Sequence, residues 1–495
     1  MIRKKIHYIV ALFLLAGMSM GMGSCSKFLE KPPVSDLYGG TFWKSSKDVN
    51  VELIAMYFSF ARAMSNGFYD WGEIRGGSWI NHLHYGDAQR ELISHQVPST
   101  NTACRWTQLY QAIGRANLAL KYIPGIVLPA AEKSSYLGEA YAMRALCYFY
   151  AVRTWGAVPV FTEPIEEYDA SRVYPRRTNP EAILDLIESD LANAEQLLPA
   201  SPIATPETTA ADELQFRTRF TRAAVYAMMM DVYAWRQKYD RVIRVYEDKL
   251  AKLTSSATGW GLEPKLTATL TQADFTSIYR MMFDKRYINP AVTPQLPMSR
   301  EVIFSIYYGE SETGANQSRS YFYSTSQRLT PSDDFKASIH PLDKRFIACF
   351  DPGTTGGTGA EYRLRKYWID AQSASDISEN YLCMYRSADM VLLYAEALYK
   401  SDKLADAIAQ MNMIRNRSGV PLATLANYAG NQEKLLDDIL HERRMELICE
   451  GKYWFDLVRL GKAGTLGGCT NPENICLPIY RDHLLQNPNL ALPPL

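Results

Sequence analysis

The chain has 495 residues, in which 53 lysines and arginines balance 53 aspartates and glutamates for a formal net charge of zero. Without a basic excess to neutralise phosphates, the composition argues against a nucleic-acid partner. The length exceeds that of one ordinary domain and predicts either two lobes or one large helical body.

Arg3, Lys4 and Lys5 precede an apolar run from Ile9 to Met18, and Gly21, Gly23 and Ser24 lead into Cys25. A basic start, a short apolar stretch and small residues before a cleavage point describe an export signal over residues 1–24. The run falls short of the roughly 20 residues a spanning helix needs. The approach to Cys25 resembles a bacterial lipobox, with Met22 where leucine is usual, so Cys25 is the expected lipid attachment. Acyl chains contribute about 0.8 kcal/mol per buried CH₂ and would hold the protein on a membrane without a spanning helix. Pro32, Pro33, Gly39 and Gly40 make residues 26–40 an extended tether.

Helical periodicity dominates from about Lys47 to about Leu250. Between Tyr136 and Val152 nearly every residue is apolar or aromatic, broken mainly by Glu139 and Arg144, which describes a buried helix. Gly156 and Pro159 end it. Two stretches carry the spacing of tetratricopeptide helical hairpins: Ala395, Leu398, Ala407 and Met411, and more loosely Met230, Tyr233, Val242 and Tyr246. Trp106, Leu109 and Ile113 suit the first helix of another pair. Such hairpins have an apolar face that a stacked neighbour must bury.

From about Thr254 to Asn380, Gly, Ser, Thr, Pro and Tyr become frequent and helical periodicity fades, as in irregular insertions that carry binding surfaces. The predicted organisation is a signal peptide (1–24), an N-terminal helical region (25–250), a loop-rich insertion (251–380) and a C-terminal helical region packing back on the first (381–495). The fold class is mostly α.

Catalytic patterns are absent. The glycine-rich run from Gly353 to Gly359 lacks the Gly-Lys-Ser/Thr ending of a phosphate loop, and neither a Gly-x-Ser-x-Gly elbow nor a His-Glu-x-x-His helix occurs. His82, His84 and His95 have no acidic or cysteine partner at ligand spacing, so no metal and no cofactor are expected. The seven cysteines after Cys25 form no disulfide framework. Cys469 and Cys476 are the nearest pair, and a free buried thiol is the expected state. Glu442, Glu446 and Glu450 would line one helix face, but Arg443, Arg444 and Lys452 are interleaved, which predicts structural ion pairs rather than glycosidase carboxylates.

The aromatic content points elsewhere. Tyrosine at 32 outnumbers phenylalanine at 18, with nine tryptophans besides, and tyrosine suits partly wet surfaces. One cluster holds Phe68, Tyr69, Trp71, Trp79 and Tyr85; a second holds Tyr279, Tyr287, Tyr307, Tyr308, Tyr321, Phe322 and Tyr323. Pyranose rings stack on aromatic planes while polar side chains bind hydroxyls. The expected ligand residues are Trp71, Trp79, Tyr85, Asn81, Tyr287, Tyr308, Tyr321 and Tyr323. Asp87, Arg90, Asn316 and Arg319 are further candidates for polar contacts.

Several blocks resemble the SusD/RagB family of surface glycan-binding lipoproteins. They are Phe42-Trp43-Lys44-Ser45-Ser46; Trp106 with Leu109, Tyr110, Ile113, Arg115, Ala116 and Asn117; and Glu139-Ala140 through Arg144 to Trp155-Gly156. Later come Arg386, Ala388, Asp389, Tyr394, Ala395 and Glu396, then Asn412, Ile414, Arg415 and Arg417. The last block is Glu442-Arg443-Arg444, Glu446, Glu450-Gly451, Asp456 and Arg459. Lys452 and Leu460 depart from arginine and tryptophan usual in the family. The resemblance implies a tetratricopeptide-supported body, no catalysis, an outer-membrane position facing the cell exterior, and delivery of oligosaccharide to a SusC-like TonB-dependent transporter. An oligopeptide-binding member of the family and a protein-interaction scaffold are the alternatives.

Overall fold

The computed structural model describes residues 42–81, 86–200, 215–254, 261–263, 266–283, 299, 301–308, 316–322, 329–352, 362–367 and 381–495. Cys25, the tether, the glycine-rich loop, Tyr85, Tyr287 and Tyr323 lie outside these residues. Among the described residues, no helix is long and apolar enough to cross a membrane.

Helix α1 (Ser46–Gly72) starts at a capping box. The Ser45 N–H donates to Asp48 Oδ2 (2.9 Å), and the Asp48 N–H donates back to Ser45 Oγ (3.4 Å). Strand β1 (Trp79–Asn81) and helix α2 (Asp87–Ile93) follow. Helices α3 (Thr107–Tyr122) and α4 (Ala130–Trp155) form the first hairpin and pack on α1. The second half of α4 is buried almost without a break, as its composition predicts. The buried charges Glu139, Arg144 and Arg153 are each matched: Arg219 grips Glu139 through two bonds of 2.8 Å, Arg144 grips Asp190 at 2.7 and 2.8 Å, and Arg153 meets Asp231 at 3.3 Å. Gly156 ends the helix at φ +71°, a conformation that favours glycine.

Helix α5 (Pro180–Leu197) lies along α4, and α6 (Arg222–Trp235) and α7 (Tyr239–Val245) make the next hairpin. A short helix, α8 (Gln272–Met281), falls within the stretch expected to be irregular, followed by strands β2 (Val302–Tyr307) and β3 (Leu329–Pro331). Next come α9 (Lys344–Cys349), β4 (Phe350–Pro352), β5 (Tyr362–Leu364) and β6 (Tyr381–Arg386). The strands pair antiparallel in twos, β1 with β3, β2 with β6 and β4 with β5. The chain closes with α10 (Ser387–Lys400), α11 (Leu404–Ser418), α12 (Glu433–Glu446) and α13 (Tyr453–Arg459).

The fold is mostly helical, with tetratricopeptide-like hairpins. In α10–α11, Ala395, Leu398, Ala407 and Met411 are all buried at the contact between the helices, and burying a side chain such as Leu398 contributes about 1.5–3 kcal/mol. The hairpins stack: α7 packs on α10, and the Tyr246 ring, one residue past α7, lies parallel to Tyr394 with centroids 4.1 Å apart.

The two ends of the chain meet at a close crossing. A Cβ on Gly72 would sit 1.9 Å from the Gly451 carbonyl oxygen, and one on Gly451 (φ +66°) would sit 2.5 Å from the Phe68 carbonyl oxygen. Glycine at both positions therefore lets the end of α1 touch the turn after α12. The Glu73 carboxylate secures the contact by accepting from the backbone N–H groups of Cys449 (2.9 Å) and Gly451 (3.1 Å). The seven cysteines among the described residues are all free thiols, Cys469 and Cys476 included.

Candidate functional site

Arg62, Asn66 and Asp70 recur every four residues and so share one face of α1. Opposite them run the turn at Thr102–Cys104 and the start of α3. Between these elements lies an open cleft of about 580 Å³, whose walls also carry Thr102, Arg105, Thr107 and Gln108. The turn is held by Asn101, whose side chain accepts from Ala103 N–H (2.8 Å) while its amide donates to the Ala88 carbonyl (3.1 Å) and Glu91 (2.8 Å).

Trp71 forms the floor. Its indole N–H donates to the Ala103 carbonyl (2.8 Å), and its ring meets Trp155 edge-on at 5.1 Å. A Cβ on Gly67 would come within 2.5 Å of that ring, so the glycine makes room for it. The tryptophan reaches the cleft with only 4% of its surface exposed. Asp70 is also buried and accepts from the Tyr321 hydroxyl (2.9 Å). Arg62, Asn66, Thr102, Arg105 and Thr107 are exposed. The Gln108 amide oxygen is buried in the wall and has no hydrogen-bond partner among the described residues.

Among the described residues the expected aromatic platform is not assembled in one place: Trp71 lies beneath the cleft, whereas Trp79, Tyr308 and Tyr321 are in the core and do not line it, and a buried partner satisfies each polar tip. Trp79 donates to Glu73 Oε1 (3.2 Å) and packs on Phe322 and Phe350. Tyr308 donates to the Ala61 carbonyl (2.5 Å), and Tyr69 meets Ser318 Oγ at 2.5 Å. With the Gln317 N–H on the Ser65 carbonyl (3.2 Å) and Tyr321 on Asp70, these bonds seat Tyr308 and residues 316–322 along α1. The tyrosines fasten the loop-rich region to the helical body rather than facing solvent.

Of the polar candidates, Asn316 is buried and accepts from Ser318 N–H (2.9 Å), and Asp87 pairs with Arg90 on the exposed side of α2. Asn81 pairs through its backbone with Leu329; its side chain and that of Arg319 lie outside the description. The wall residues Arg62, Asn66, Arg105, Thr107 and Gln108 escaped the sequence reading, which weighted aromatic density. The four-residue spacing of polar side chains in α1 was the available signal.

A second recess of about 660 Å³ lies between α3, α4 and the segment at 162–172. Each cation that lines it has a carboxylate partner: Arg144 with Asp190, Lys121 with Glu166, and Arg172 with Glu163 (3.1 Å).

Glu442, Glu446 and Glu450 are buried in an ion-pair network, in line with the structural reading. Arg386 contacts Glu301 (2.5 Å), Glu446 (2.8 Å) and Glu450 (2.8 Å); Arg417 contacts Glu301 (2.7 Å) and Glu446 (2.6 Å); Arg345 contacts Glu442 (2.7 Å). Burial opposes the charge on Glu446, yet Arg417, Arg386 and Arg345 hold its carboxyl well below the usual range. Among the described residues, no group of three His, Cys, Asp or Glu side chains could hold a metal ion.

Comparison with known proteins follows the same lines. Residues 351–476 match the model of the SusD family, and residues 77–234 match one described as starch-binding, associating with the outer membrane. The SusD-like protein P38 of Formosa agariphila is 30% identical over 535 aligned residues, covering 98% of this chain and 99% of that protein. A SusD homolog from Bacteroides thetaiotaomicron superposes with a TM-score of 0.70 at 22% identity, covering 90% of this chain and 97% of that one. The surface glycan-binding protein A of the same organism, solved with laminarihexaose, gives a TM-score of 0.67 at 17% identity, covering 90% and 98%.

Proposed function

The chain belongs to the SusD family, and on that premise we propose that it captures oligosaccharides at the cell surface and delivers them to a SusC-like TonB-dependent transporter. In this reading acyl chains on Cys25 hold it to the outer membrane, and it releases its cargo chemically unchanged. The observation that carries the binding role is the open cleft beside α1. Its walls offer hydroxyl, amide and guanidinium groups, the mixture of donors and acceptors that sugar hydroxyls require. Among the described residues Asp70 is the single carboxylate on the cleft wall, whereas glycoside hydrolysis takes a pair facing each other across the bond. Related proteins support the ligand class: one structural neighbour was solved with laminarihexaose.

The test is calorimetry of a soluble form starting after Cys25 against oligosaccharides and oligopeptides, with product analysis of each mixture. Saturable heat with a saccharide and no new reducing ends is the expected result. Heat with peptides alone moves the protein to the peptide-binding alternative, and new reducing ends overturn the non-catalytic reading.

A further inference from the structure

The two cationic side chains on the cleft lining, Arg62 and Arg105, differ from the arginines at the contacts between helices. Where helices meet, this chain matches arginine with carboxylate: Arg144 with Asp190, Arg153 with Asp231, Arg219 with Glu139, and the network around Glu446. In the second recess the same matching holds. Arg62 and Arg105 stand on opposite walls of the cleft, both exposed, and among the described residues neither makes an ion pair with a carboxylate. Arg62 has the Phe58 ring 5.9 Å away. Arg105 lies over the Tyr480 ring at 4.6 Å and donates to that tyrosine's hydroxyl (2.5 Å).

The nearby acids are already engaged. Asp70 accepts from Tyr321, and Glu91 accepts from Asn101. Arg62 and Arg105 outnumber Asp70, the one carboxylate lining the cleft among the described residues, so the cleft carries a local positive excess on a chain whose formal net charge is zero, and that excess comes from placement and not from bulk composition. A guanidinium offers a planar fork of donors that matches a carboxylate or sulfate, and the Tyr480 contacts fix one fork in advance, which lowers the entropy cost of binding. The Gln108 amide oxygen, buried and unpartnered in the same wall, can accept from a sugar hydroxyl.

We propose that the cleft takes an acidic oligosaccharide, one bearing carboxylate or sulfate groups, with Arg62 and Arg105 as the residues that select for charge. The inference rests on the glycan-binding reading of this cleft and adds its substrate class.

The experiment titrates the soluble chain with laminarihexaose, an oligogalacturonate hexamer, sulfated laminarihexaose and a polyglutamate peptide, at low and at high salt. Arg62→Gln and Arg105→Gln, each checked for an unchanged melting transition, are titrated alongside. An acidic saccharide is expected to bind at least about tenfold more tightly than the neutral one at low salt, with the advantage shrinking as salt screens it. Each substitution is expected to cost about tenfold against the acidic ligand and clearly less against the neutral one, which loses only a hydrogen bond to an uncharged hydroxyl. The oligogalacturonate and sulfated arms separate carboxylate from sulfate recognition. Equal binding of the neutral saccharide, unaffected by the substitutions, overturns the acidic preference and leaves glycan binding standing. Equal binding of polyglutamate overturns it as well, because unspecific charge attraction then explains the heat. Failure to bind any saccharide overturns the parent reading together with this one.

Discussion

Two rows of polar residues in this chain have the same four-residue spacing and opposite fates. Glu442, Glu446 and Glu450 run along α12 and the turn after it, and Arg62, Asn66 and Asp70 run along α1. Helical geometry puts Arg62, Asn66 and Asp70 on one face of α1 and Glu442 and Glu446 on one face of α12, and the turn beyond α12 brings Glu450 beside them. The α12 row is sealed beneath Arg345, Arg386, Arg417 and Lys366, with Glu446 fully buried. The α1 row opens on the cleft, with Arg62 and Asn66 exposed and only Asp70 buried. The spacing fixes which residues stand together. Whether they build the fold or meet a ligand depends on what packs over them, and that comes from other elements, as with Arg417, 29 positions from Glu446, and Tyr321, 251 positions from Asp70.

If the α12 row is structural, breaking it has the largest effect. Glu446→Ala leaves Arg386 and Arg417 buried without a principal counter-ion and is expected to destabilise the protein by about 3–5 kcal/mol, read by chemical denaturation. The pH dependence follows from the carboxyl being held below its ordinary value of 4.5 in the fold. Its stabilisation is present above the unfolded value and is lost as pH falls through the folded one. Acid unfolding of the native protein should therefore steepen below about pH 4.5. A loss under 1 kcal/mol, or no change in the acid limb, would mean that the row is as dispensable as an exposed one.

Glu73 supplies an intermediate case, a buried carboxylate that three N–H groups satisfy without an arginine on it. Burial pushes its carboxyl up to about 7. With the folded value above the unfolded one, stability falls as pH rises from about 4.5 to about 7, by up to about 3 kcal/mol. Burial pushes His441 down to about 4, so its contribution is lost as pH falls from 6.5 and slopes the other way. The measurement is thus a difference: the pH profile of Glu73→Gln subtracted from that of the native chain. A flat difference between pH 4.5 and 7 would show that the three donors outweigh burial.

Much of the fold was legible because helical burial leaves a local trace. The apolar stretch from Tyr136 to Val152, the spacing of Ala395, Leu398, Ala407 and Met411, and the interleaved charges around Glu446 each predict a packing arrangement that the structure contains. The site was less legible, for the same physical reason that makes tyrosine ambiguous. A ring with a polar tip fits a wet platform, and it fits equally a buried seam where the tip finds a carbonyl or a carboxylate. Tyr308 finds Ala61 and Tyr321 finds Asp70, partners about 250 positions away that no local pattern reveals. Trp79 is likewise satisfied by Glu73, and only the folded chain shows both its neighbours and the two rings against it. The short helices α8 and α9 were missed because tertiary contact between them, and not length, sustains them.

The smallest expected effect closes the comparison from the other side. If the α1 row serves a ligand, removing a charge from it should leave folding almost untouched. Arg62→Gln and Arg105→Gln each take away an exposed guanidinium that makes no ion pair among the described residues, so each is expected to shift stability by no more than about 0.5 kcal/mol. Arg105 carries the larger share, because it also lies over the Tyr480 ring and donates to its hydroxyl. Denaturant midpoints of both variants, measured beside Glu446→Ala, decide the matter. A loss of 2 kcal/mol or more at Arg62 would place the α1 row with the α12 row, as part of what holds the chain folded. Near-zero losses beside a large one at Glu446 mean that the same spacing builds a scaffold in one helix and leaves side chains available to a ligand in the other.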